Sequence, residues 1–296
     1  MSVLVVRAFA KVNLCLKVLG RRPDGYHQIE TLLQSVDLHD TLELRVEGSG
    51  IALSVDDPSV PKGPENLVFK AVERLAGNEP ERALPGLRIH LVKRIPAGAG
   101  LGGGSSDAAS ALVGLDRLLG LRTEPGRLLD AAAALGSDVP YFLSGGTALL
   151  TGRGTEVAAL PDLPPAELLI LHPGKPLSTA AVYAQLQEPL TLAAKVDSIS
   201  RFGRVPMDLT SWVRAGNDLE PAATRLCADV RRMRELLDDS GAIASAMTGS
   251  GSAVFGQFES AAEAEAAGKV AESRGFKAYR CRTIDRKSFH QGRLVS

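Results

Sequence analysis

A glycine-rich run in the first half of the chain constrains its fold and its chemistry more than any other segment. Residues 96–109 read Pro-Ala-Gly-Ala-Gly-Leu-Gly-Gly-Gly-Ser-Ser-Asp-Ala-Ala, which leaves the backbone uncovered and permits positive φ angles. Apolar residues at helical spacing follow, from Ala108 to Leu119, and predict a helix with Ser105 or Ser106 as its N-cap. Free N–H groups and the positive end of a helix dipole favour an anion. The run therefore predicts a phosphate-binding loop that leads into a helix.

Other kinds of glycine loop are the alternatives. Gly98, Gly100 and Gly103 formally match the dinucleotide fingerprint, but such a match is nearly automatic in a glycine-rich run. The fingerprint also requires a βαβ unit, whereas residues 122–135 are alanine-rich and helical in pattern. A P-loop needs Lys-Ser or Lys-Thr after its last glycine, and protein-kinase signatures are absent. A linker or tight turn that binds nothing stays open, although a linker needs no helix start directly behind it.

Composition and charge limit the possible partners. The chain has 296 residues, is 45% hydrophobic and carries 34 basic and 34 acidic residues, whereas a general nucleic-acid binder usually has a basic excess. Cys15, Cys227 and Cys281 form no CxxC pair, which indicates a reducing compartment and argues against zinc. No run approaches the roughly 20 apolar residues of a membrane span. We therefore expect a cytoplasmic protein without a nucleic-acid or membrane partner, and its oligomeric state is not indicated.

The apolar patterns predict an α+β protein, because strands dominate before the glycine loop and mix with helices after it. Strands are predicted at residues 3–9, 12–19, 29–36, 42–46, 87–91, 147–150, 168–171, 243–247, 253–258 and 277–281. Further helices are predicted after a cap at Asn66 and at residues 128–135, 179–186, 220–227, 230–238 and 261–274. Residues 196–214 carry little periodic signal. A proline cluster at 161–165 favours two domains, residues 1–157 and 158–296.

Two segments offer residues that could activate a nucleophile beside a bound phosphate. Asp138 lies in Gly-Ser-Asp-Val-Pro, between an apolar helix and two aromatic residues. It is either a turn or cap residue or a buried general base. Lys11 interrupts an apolar strand and is either an edge-strand lysine facing water or a cation that steers Asp138 and neutralises a phosphoryl group. Asn13 lies on the same strand face as Lys11.

A Pro-Asp-Gly turn places Tyr26 beside His27. This is either an ordinary surface turn or one side of an aromatic clamp for a flat ring, with Tyr183 as a second stacking face. A second glycine loop at residues 247–252 is either a simple connection or a backbone that approaches the first loop. Asp107 is ambiguous, because it could cap the helix or assist a metal ion.

Together these segments resemble the GHMP kinase superfamily, named for galactokinase, homoserine kinase, mevalonate kinase and phosphomevalonate kinase. Residues 96–109 resemble its ATP loop, residues 11–14 its N-terminal motif and residues 247–255 its C-terminal glycine motif. A narrower resemblance, to the branch that phosphorylates a cytidylate-linked alcohol in the non-mevalonate isoprenoid pathway, rests on further segments. These are residues 22–27, 100–109, 136–140, 172–179 and 217–220.

The resemblance implies a ribosomal-S5-like N-terminal domain, a ferredoxin-like C-terminal domain and a site between them. ATP would donate its γ-phosphate to the 2-hydroxyl of the methylerythritol part of the substrate, with Mg²⁺ bridging the phosphates through ligands that are not indicated. Asp138 would be the base, with Lys11 as its partner. The ATP site would comprise Asn66, Leu67, Lys93, Pro96, Ala97, Gly98, Ala99, Gly100, Leu101, Gly102, Gly103, Gly104, Ser105 and Ser106. The cytidylate substrate would meet Asn13, Tyr26, His27 and Tyr183.

Two other functions stay open at this point. One is a GHMP-type kinase with a mevalonate- or homoserine-like acceptor, which would have no use for an aromatic clamp around cytosine. The other is a non-catalytic or RNA-binding module on the S5-like scaffold, which would have a basic face and no need for Lys11 together with Asp138. The balanced charge of the chain is unfavourable for that module.

Overall fold

The computed structural model describes residues 3–78, 85–186 and 208–295. Its strands are β1 Val3–Arg21, β2 His27–Val46, β3 Ile51–Val55, β4 Leu87–Val92, β5 Thr147–Thr151, β6 Glu156–Ala159, β7 Glu167–His172, β8 Ala244–Met247, β9 Val254–Phe258, β10 Lys277–Arg282 and β11 Leu294–Val295. Its helices are α1 Leu67–Asn78, α2 Gly103–Leu119, α3 Pro125–Leu135, α4 Tyr141–Ser144, α5 Thr179–Ala184, α6 Leu209–Ala215, α7 Glu220–Leu226, α8 Asp229–Asp239, α9 Ala261–Ser273 and α10 Arg286–Arg293. None of these helices is long and apolar enough to cross a membrane.

The larger of the two sheets is built on a long antiparallel pair, β1 and β2. Within the described residues its order is β11-β1-β2-β4-β3, with β5 on β2 and β6 on β5. Helix α2 packs against β1 and β2, and α1 packs on α2. A Cβ at Gly114 of α2 would lie 2.6 Å from Leu44 Cδ1 and 2.7 Å from Val6 Cγ2. Glycine is therefore required there, because the helix approaches the sheet so closely.

The smaller sheet is antiparallel in the order β10-β7-β9-β8. Helices α8 and α9 pack on it, and α9 begins with a capping box between Ser260 and Glu263. The chain then returns to the larger sheet, where β11 pairs with the edge of β1 at Val5 and Val6. Both ends of the chain therefore meet in one sheet.

The α+β class is confirmed, and most predicted elements are present. The strands predicted at 3–9 and 12–19 are one continuous strand, because β1 continues through bulges near Lys11, Asn13 and Gly20. Those predicted at 29–36 and 42–46 are likewise one strand, β2. The sequence patterns did not find β3, β6, α4, α10 or β11. Of the unassigned stretch 196–214, residues 196–207 lie outside the described residues. The remainder falls in α6, which is capped by Asp208 through a 2.7 Å bond from Ser211 N–H.

The serine cap expected for α2 is wrong. The N-cap is Gly102 at φ 72°, three residues before Ser105, and no side chain caps the helix. The Ser106 hydroxyl instead donates to the Phe9 carbonyl at 2.7 Å and ties the helix to β1. The first N–H groups of α2 are thus left without a side-chain cap, as an anion site requires. The Asn66 cap of α1 is confirmed, because its Oδ1 accepts from Val68 N–H at 2.8 Å.

Candidate active site

A cavity of about 1090 Å³ is lined by residues from both halves of the chain. Nine of the residues proposed from the sequence line it: Lys11, Asn13, Tyr26, His27, Gly100, Gly102, Ser105, Asp138 and Tyr183. They come from β1, the turn before β2 and the first residue of β2, the first glycine loop, the first turn of α2, the turn after α3, and α5. Gly249 and Ser250 of the second glycine loop complete this part of the wall.

Lys11 lies at the inner end of the cavity and is 3% exposed. Its Nζ donates to Asn13 Oδ1 at 2.6 Å and to the Gly100 carbonyl at 2.8 Å, and lies 3.8 Å from Asp138 Oδ2. Burial lowers the pKa of the Lys11 ammonium below its ordinary value, and the Asp138 carboxylate opposes that shift. An edge-strand lysine facing water is therefore excluded. The ammonium joins the strand, the glycine loop and the carboxylate.

Asp138 lies in a turn that is held from behind by buried aromatic residues. The Tyr141 hydroxyl hydrogen-bonds to Ser35 Oγ at 2.7 Å and donates to the Gly146 carbonyl at 2.8 Å. A Cβ at Gly102 would lie 2.7 Å from the ring of Phe142, so this ring packs directly under the glycine loop. The Asp138 side chain itself is 36% exposed. The turn thus presents a fixed carboxylate to the cavity.

The two glycine loops meet in space. Gly100 has φ +79°, and a Cβ on it would lie 2.2 Å from the Thr248 carbonyl oxygen. Ala253 N–H donates to the Ala99 carbonyl at 3.2 Å across the same contact. Only glycine fits at position 100, because both its φ angle and its separation from the other loop exclude a side chain.

A threonine that no sequence pattern singled out connects these loops to β1. Thr248 Oγ1 accepts from Asn13 N–H at 3.0 Å and lies 3.1 Å from both Asn13 Oδ1 and the Gly100 carbonyl, to either of which its hydroxyl can donate. Asn217 donates to the carbonyls of Met247 and Gly249 at 2.9 and 2.7 Å. The second loop is therefore anchored on both sides. A single threonine forms no sequence pattern from which this role could be predicted.

The residues proposed for the nucleoside of ATP lie beside the loop, but two of their side chains are already bonded. Asn66 caps α1 through Oδ1 and donates through Nδ2 to the Pro61 carbonyl at 2.6 Å. Lys93 Nζ donates to Asp40 at 2.5 Å and to Asp107 at 2.7 Å. Leu67 Cδ1 lies 3.8 Å from the position of a Cβ on Gly104.

The remaining residues of the proposed ATP loop lie outside the lining of this cavity. Several have structural contacts: Ala99 and Leu101 are buried, and the Leu101 carbonyl accepts from Lys11 N–H at 3.1 Å. Pro96, Ala97, Gly98, Gly103, Gly104 and Ser106 are likewise not among the lining residues.

Aromatic and cationic side chains share the outer end of the cavity. The rings of His27 and Tyr183 stack with centroids 4.9 Å apart and planes at 29°. Tyr26 is 58% exposed, and the Arg153 guanidinium lies 4.8 Å from its ring centroid. Burial raises the pKa of the Tyr183 hydroxyl to about 12, and the Asp138 charge adds to this shift. Arg153, which the sequence reasoning missed, brings a positive charge beside the aromatic residues.

Acidic groups are scarce in the cavity. Asp138 is the one carboxylate among its described lining residues. Nowhere in the described ranges do three His, Cys, Asp or Glu residues gather as a metal-binding group. A divalent ion here would consequently depend on ligands that a substrate brings.

Sequence comparisons place the chain among known kinases. Residues 66–146 match the family model of the GHMP kinases N terminal domain, and residues 207–276 match that of the GHMP kinases C terminal. A relative from Moorella thermoacetica is 42% identical over 92% of this chain and 94% of its own length. One from Geobacter sulfurreducens is 39% identical over 96% of this chain and 100% of its own. Both bear the name 4-diphosphocytidyl-2-C-methyl-D-erythritol kinase.

Solved structures give the same result at the level of the fold. A crystal structure of 4-(cytidine 5'-diphospho)-2C-methyl-D-erythritol kinase matches with a TM-score of 0.78 and 33% identity, covering 94% of this chain and 98% of that one. A homoserine kinase from Cytophaga hutchinsonii has a TM-score of 0.74 at 23% identity, covering 96% and 95%. At 23% identity, the similarity to this homoserine kinase supports the fold alone.

Proposed function

The chain belongs to the 4-diphosphocytidyl-2-C-methyl-D-erythritol kinases of the GHMP kinase family, and from this membership we propose how its residues carry out the reaction. The reaction is ATP-dependent phosphorylation of the 2-hydroxyl of 4-diphosphocytidyl-2-C-methyl-D-erythritol, in the non-mevalonate route to isoprenoid precursors. The observation that carries our assignment is the contact of one buried ammonium, Lys11 Nζ, with Asn13, Gly100 and Asp138. A strand, a phosphate loop and a carboxylate converge there on one point.

On the donor side, the glycine loop and the start of α2 hold the triphosphate. Gly98, Gly100 and Gly102 have φ angles of 64°, 79° and 72°, so the backbone N–H groups can turn toward an anion. Helix α2 adds uncapped N–H groups, and each hydrogen bond to a charged group contributes about 1.5–3 kcal/mol. The loop binds phosphate through its backbone and leaves side-chain chemistry to β1 and the turn after α3.

On the acceptor side, Asp138 accepts or orients the proton of the substrate hydroxyl. Lys11 holds this carboxylate by charge and neutralises negative charge that develops on the transferring phosphoryl group. Because Lys11 is fixed by Asn13 Oδ1 and the Gly100 carbonyl, it keeps its place when the substrates bind. Phosphoryl transfer needs alignment and charge neutralisation more than covalent catalysis, and this arrangement supplies both.

Mg²⁺ would accompany ATP. In sites of this kind Mg²⁺ keeps water and is held by one or two carboxylates together with substrate phosphates. Because Asp138, the one carboxylate among the described lining residues, faces Lys11, the phosphates of ATP and water would supply the ligands of the ion in this cavity. When bound, the ion neutralises phosphate charge.

The outer end of the cavity holds the cytidine diphosphate part of the substrate. Tyr26, His27 and Tyr183 offer flat faces for cytosine, and Arg153 offers a cation for the ring or for the diphosphate. Cytosine that inserted between two of these side chains would have to displace Arg153 from Tyr26 or separate His27 from Tyr183.

A substrate panel tests the reaction itself. ADP release with Mg-ATP should occur with 4-diphosphocytidyl-2-C-methyl-D-erythritol and not with mevalonate, homoserine or galactose. Turnover with another acceptor would retain the ATP site but overturn the cytidine pocket. Binding of ATP without turnover on any acceptor would favour the non-catalytic module.

Replacement of Tyr26 or His27 by alanine should raise KM for the cytidylate substrate and leave KM for ATP unchanged. Loss of one stacking face weakens the binding free energy of the base by about 1–3 kcal/mol, which corresponds to a rise in KM of about 5- to 150-fold. Steady-state kinetics with each substrate varied in turn measures this. Replacement of His90, whose ring hydrogen-bonds to Ser54 outside the cavity lining, is the matched control. A rise in KM for ATP instead would place these residues in the donor pocket.

A further inference from the structure

Two buried carboxylates share one ammonium directly behind the first glycine loop. Lys93 Nζ lies 2.5 Å from Asp40 Oδ2 and 2.7 Å from Asp107 Oδ2. The exposed fractions of the three side chains are 6%, 0% and 3%. If all three groups were ionised, the triad would carry one uncompensated negative charge away from water, which is costly.

The two carboxylates differ in how well they are satisfied. Asp40 Oδ1 accepts from Arg94 N–H at 2.5 Å and from Ile95 N–H at 2.8 Å, in addition to the bond from Lys93. Asp107 Oδ1 is buried and has no hydrogen-bond partner. Hydrogen bonds to the charged form favour ionisation, and Asp107 Oδ1 accepts none, so Asp107 is the carboxyl of the triad that is placed to hold a proton. Burial raises the pKa of Asp107 to about 8, the Lys93 ammonium opposes the shift, and the Asp40 charge adds to it.

The triad lies at the junction between loop and helix. Lys93 Nζ is 3.4 Å from the position that a Cβ on Gly103 would occupy, and Asp107 lies in α2 just beyond. Within the described residues, the charged side chains of α1 and β1 form no ion pair with the triad. On α1 the charged residues Lys70, Glu73 and Arg74 are exposed. On β1, Lys11 is bonded within the cavity, and Arg7 faces α2 through its carbonyl, which accepts from Ser110.

We propose that the Asp40–Lys93–Asp107 triad takes up a proton when a nucleoside triphosphate binds at the glycine loop, and that Asp107 carries it. The proton comes from the buffer, and an O–H bond forms at the Asp107 carboxylate. Phosphate oxygens in front of Lys93 disfavour a second negative charge behind it. Once Asp107 is protonated, the Lys93 ammonium is neutralised by one carboxylate instead of two. The electrostatic potential at the loop is then more positive and favours the bound phosphates. Asp107 is thus a positioning residue that acts through Lys93, and this inference rests on the ATP site proposed above.

Titration calorimetry of the full chain with Mg-ATP, without acceptor, tests the proton uptake. Binding enthalpies are measured in two non-phosphate buffers with different heats of ionisation, because inorganic phosphate would compete for the loop. The difference between the two enthalpies, divided by the difference in ionisation heat, gives the number of protons exchanged. We expect an uptake near zero at about pH 6 and of about half a proton at about pH 8, where the free carboxyl is half ionised. Asp107→Asn should bind ATP with no uptake at either pH. Asp130→Asn, which removes an exposed carboxylate on α3, should behave as the unmodified chain does.

The kinetic counterpart is the pH dependence of KM for ATP. Above about pH 8, KM should rise by up to about tenfold per pH unit in the unmodified chain and stay flat in Asp107→Asn. ATP binding without proton uptake in the unmodified chain overturns this inference and leaves the proposed function intact. Absence of ATP binding overturns the donor site and this inference with it. Since the unmodified chain decides both outcomes, the test does not depend on the folding of the variant.

Discussion

Replacement of Asp138 by asparagine is expected to lower kcat about 10²–10⁴-fold, the range for a positioned acid–base group. Asparagine preserves the size of the side chain and the turn that Tyr141 and Phe142 hold from behind. It removes the negative charge that faces Lys11 Nζ at 3.8 Å and the oxygen that could take the hydroxyl proton. KM for ATP should change little, because the glycine loop binds phosphate through backbone groups that this substitution does not touch.

The measurement is ADP release at saturating concentrations of both substrates, together with thermal unfolding to show that the fold is intact. Asp130→Asn is the matched control, because Asp130 is an exposed carboxylate on the helix that leads into the Asp138 turn. A folded Asp138→Asn variant with undiminished kcat would show that Asp138 neither removes nor orients the proton. In a loose transition state, removal of the proton contributes less to the rate than it does when the nucleophile attacks early. A loss of kcat near 10²-fold would therefore favour a role for Asp138 in orienting the hydroxyl group.

Much of the candidate site could be predicted because its parts are local in sequence. The glycine loop could be predicted from its composition, and Asp138 lies within a short turn between an apolar helix and two aromatic residues. Lys11 could be predicted as a candidate because it is a charged residue inside an apolar strand. The distances that join these parts, such as that from Lys11 to Gly100, span 89 residues. No pattern along the chain encodes such a distance, because it is set by the packing of α2 on β1.

Other parts could not be predicted, for the same physical reason. Thr248 and Asn13 are 235 residues apart, so their bond exists only once both sheets are formed. Asp40 and Lys93 are 53 apart, so their bond exists only once β2 and β4 are paired. Helix α10 has a polar sequence, and its Phe289 is buried by distant residues: a Cβ on Gly145 would lie 2.3 Å from its ring, and the Phe9 ring centroid lies 5.5 Å away. The expected serine cap was wrong because the helix begins at Gly103 and the Ser106 hydroxyl donates instead to the Phe9 carbonyl on β1.

Replacement of Gly100 by alanine is expected to lower kcat/KM at least about 100-fold, since a displacement of about 1 Å in a catalytic array can have an effect of this size. The new Cβ would lie 2.2 Å from the Thr248 carbonyl oxygen, so the two glycine loops must separate. The Gly100 carbonyl accepts from Lys11 Nζ at 2.8 Å and lies 3.1 Å from Thr248 Oγ1. Movement of this carbonyl therefore shifts the ammonium relative to Asp138 and weakens the link to β1.

Gly241→Ala separates this effect from the general cost of alanine at positive φ. Gly241 has φ +89° with nothing within 4 Å of a Cβ, compared with φ +79° and a backbone clash at Gly100. Both variants lose about 1–2 kcal/mol of stability from the left-handed conformation, and overpacking at Gly100 adds about 1–3 kcal/mol. Thermal unfolding measures the difference in stability, and kinetics should show that Gly241→Ala keeps its kcat/KM. Equal stability and equal activity of the two variants would mean that the loops do not touch at Gly100. Lys11 would then need a different anchor from the carbonyl that now holds it against Asp138.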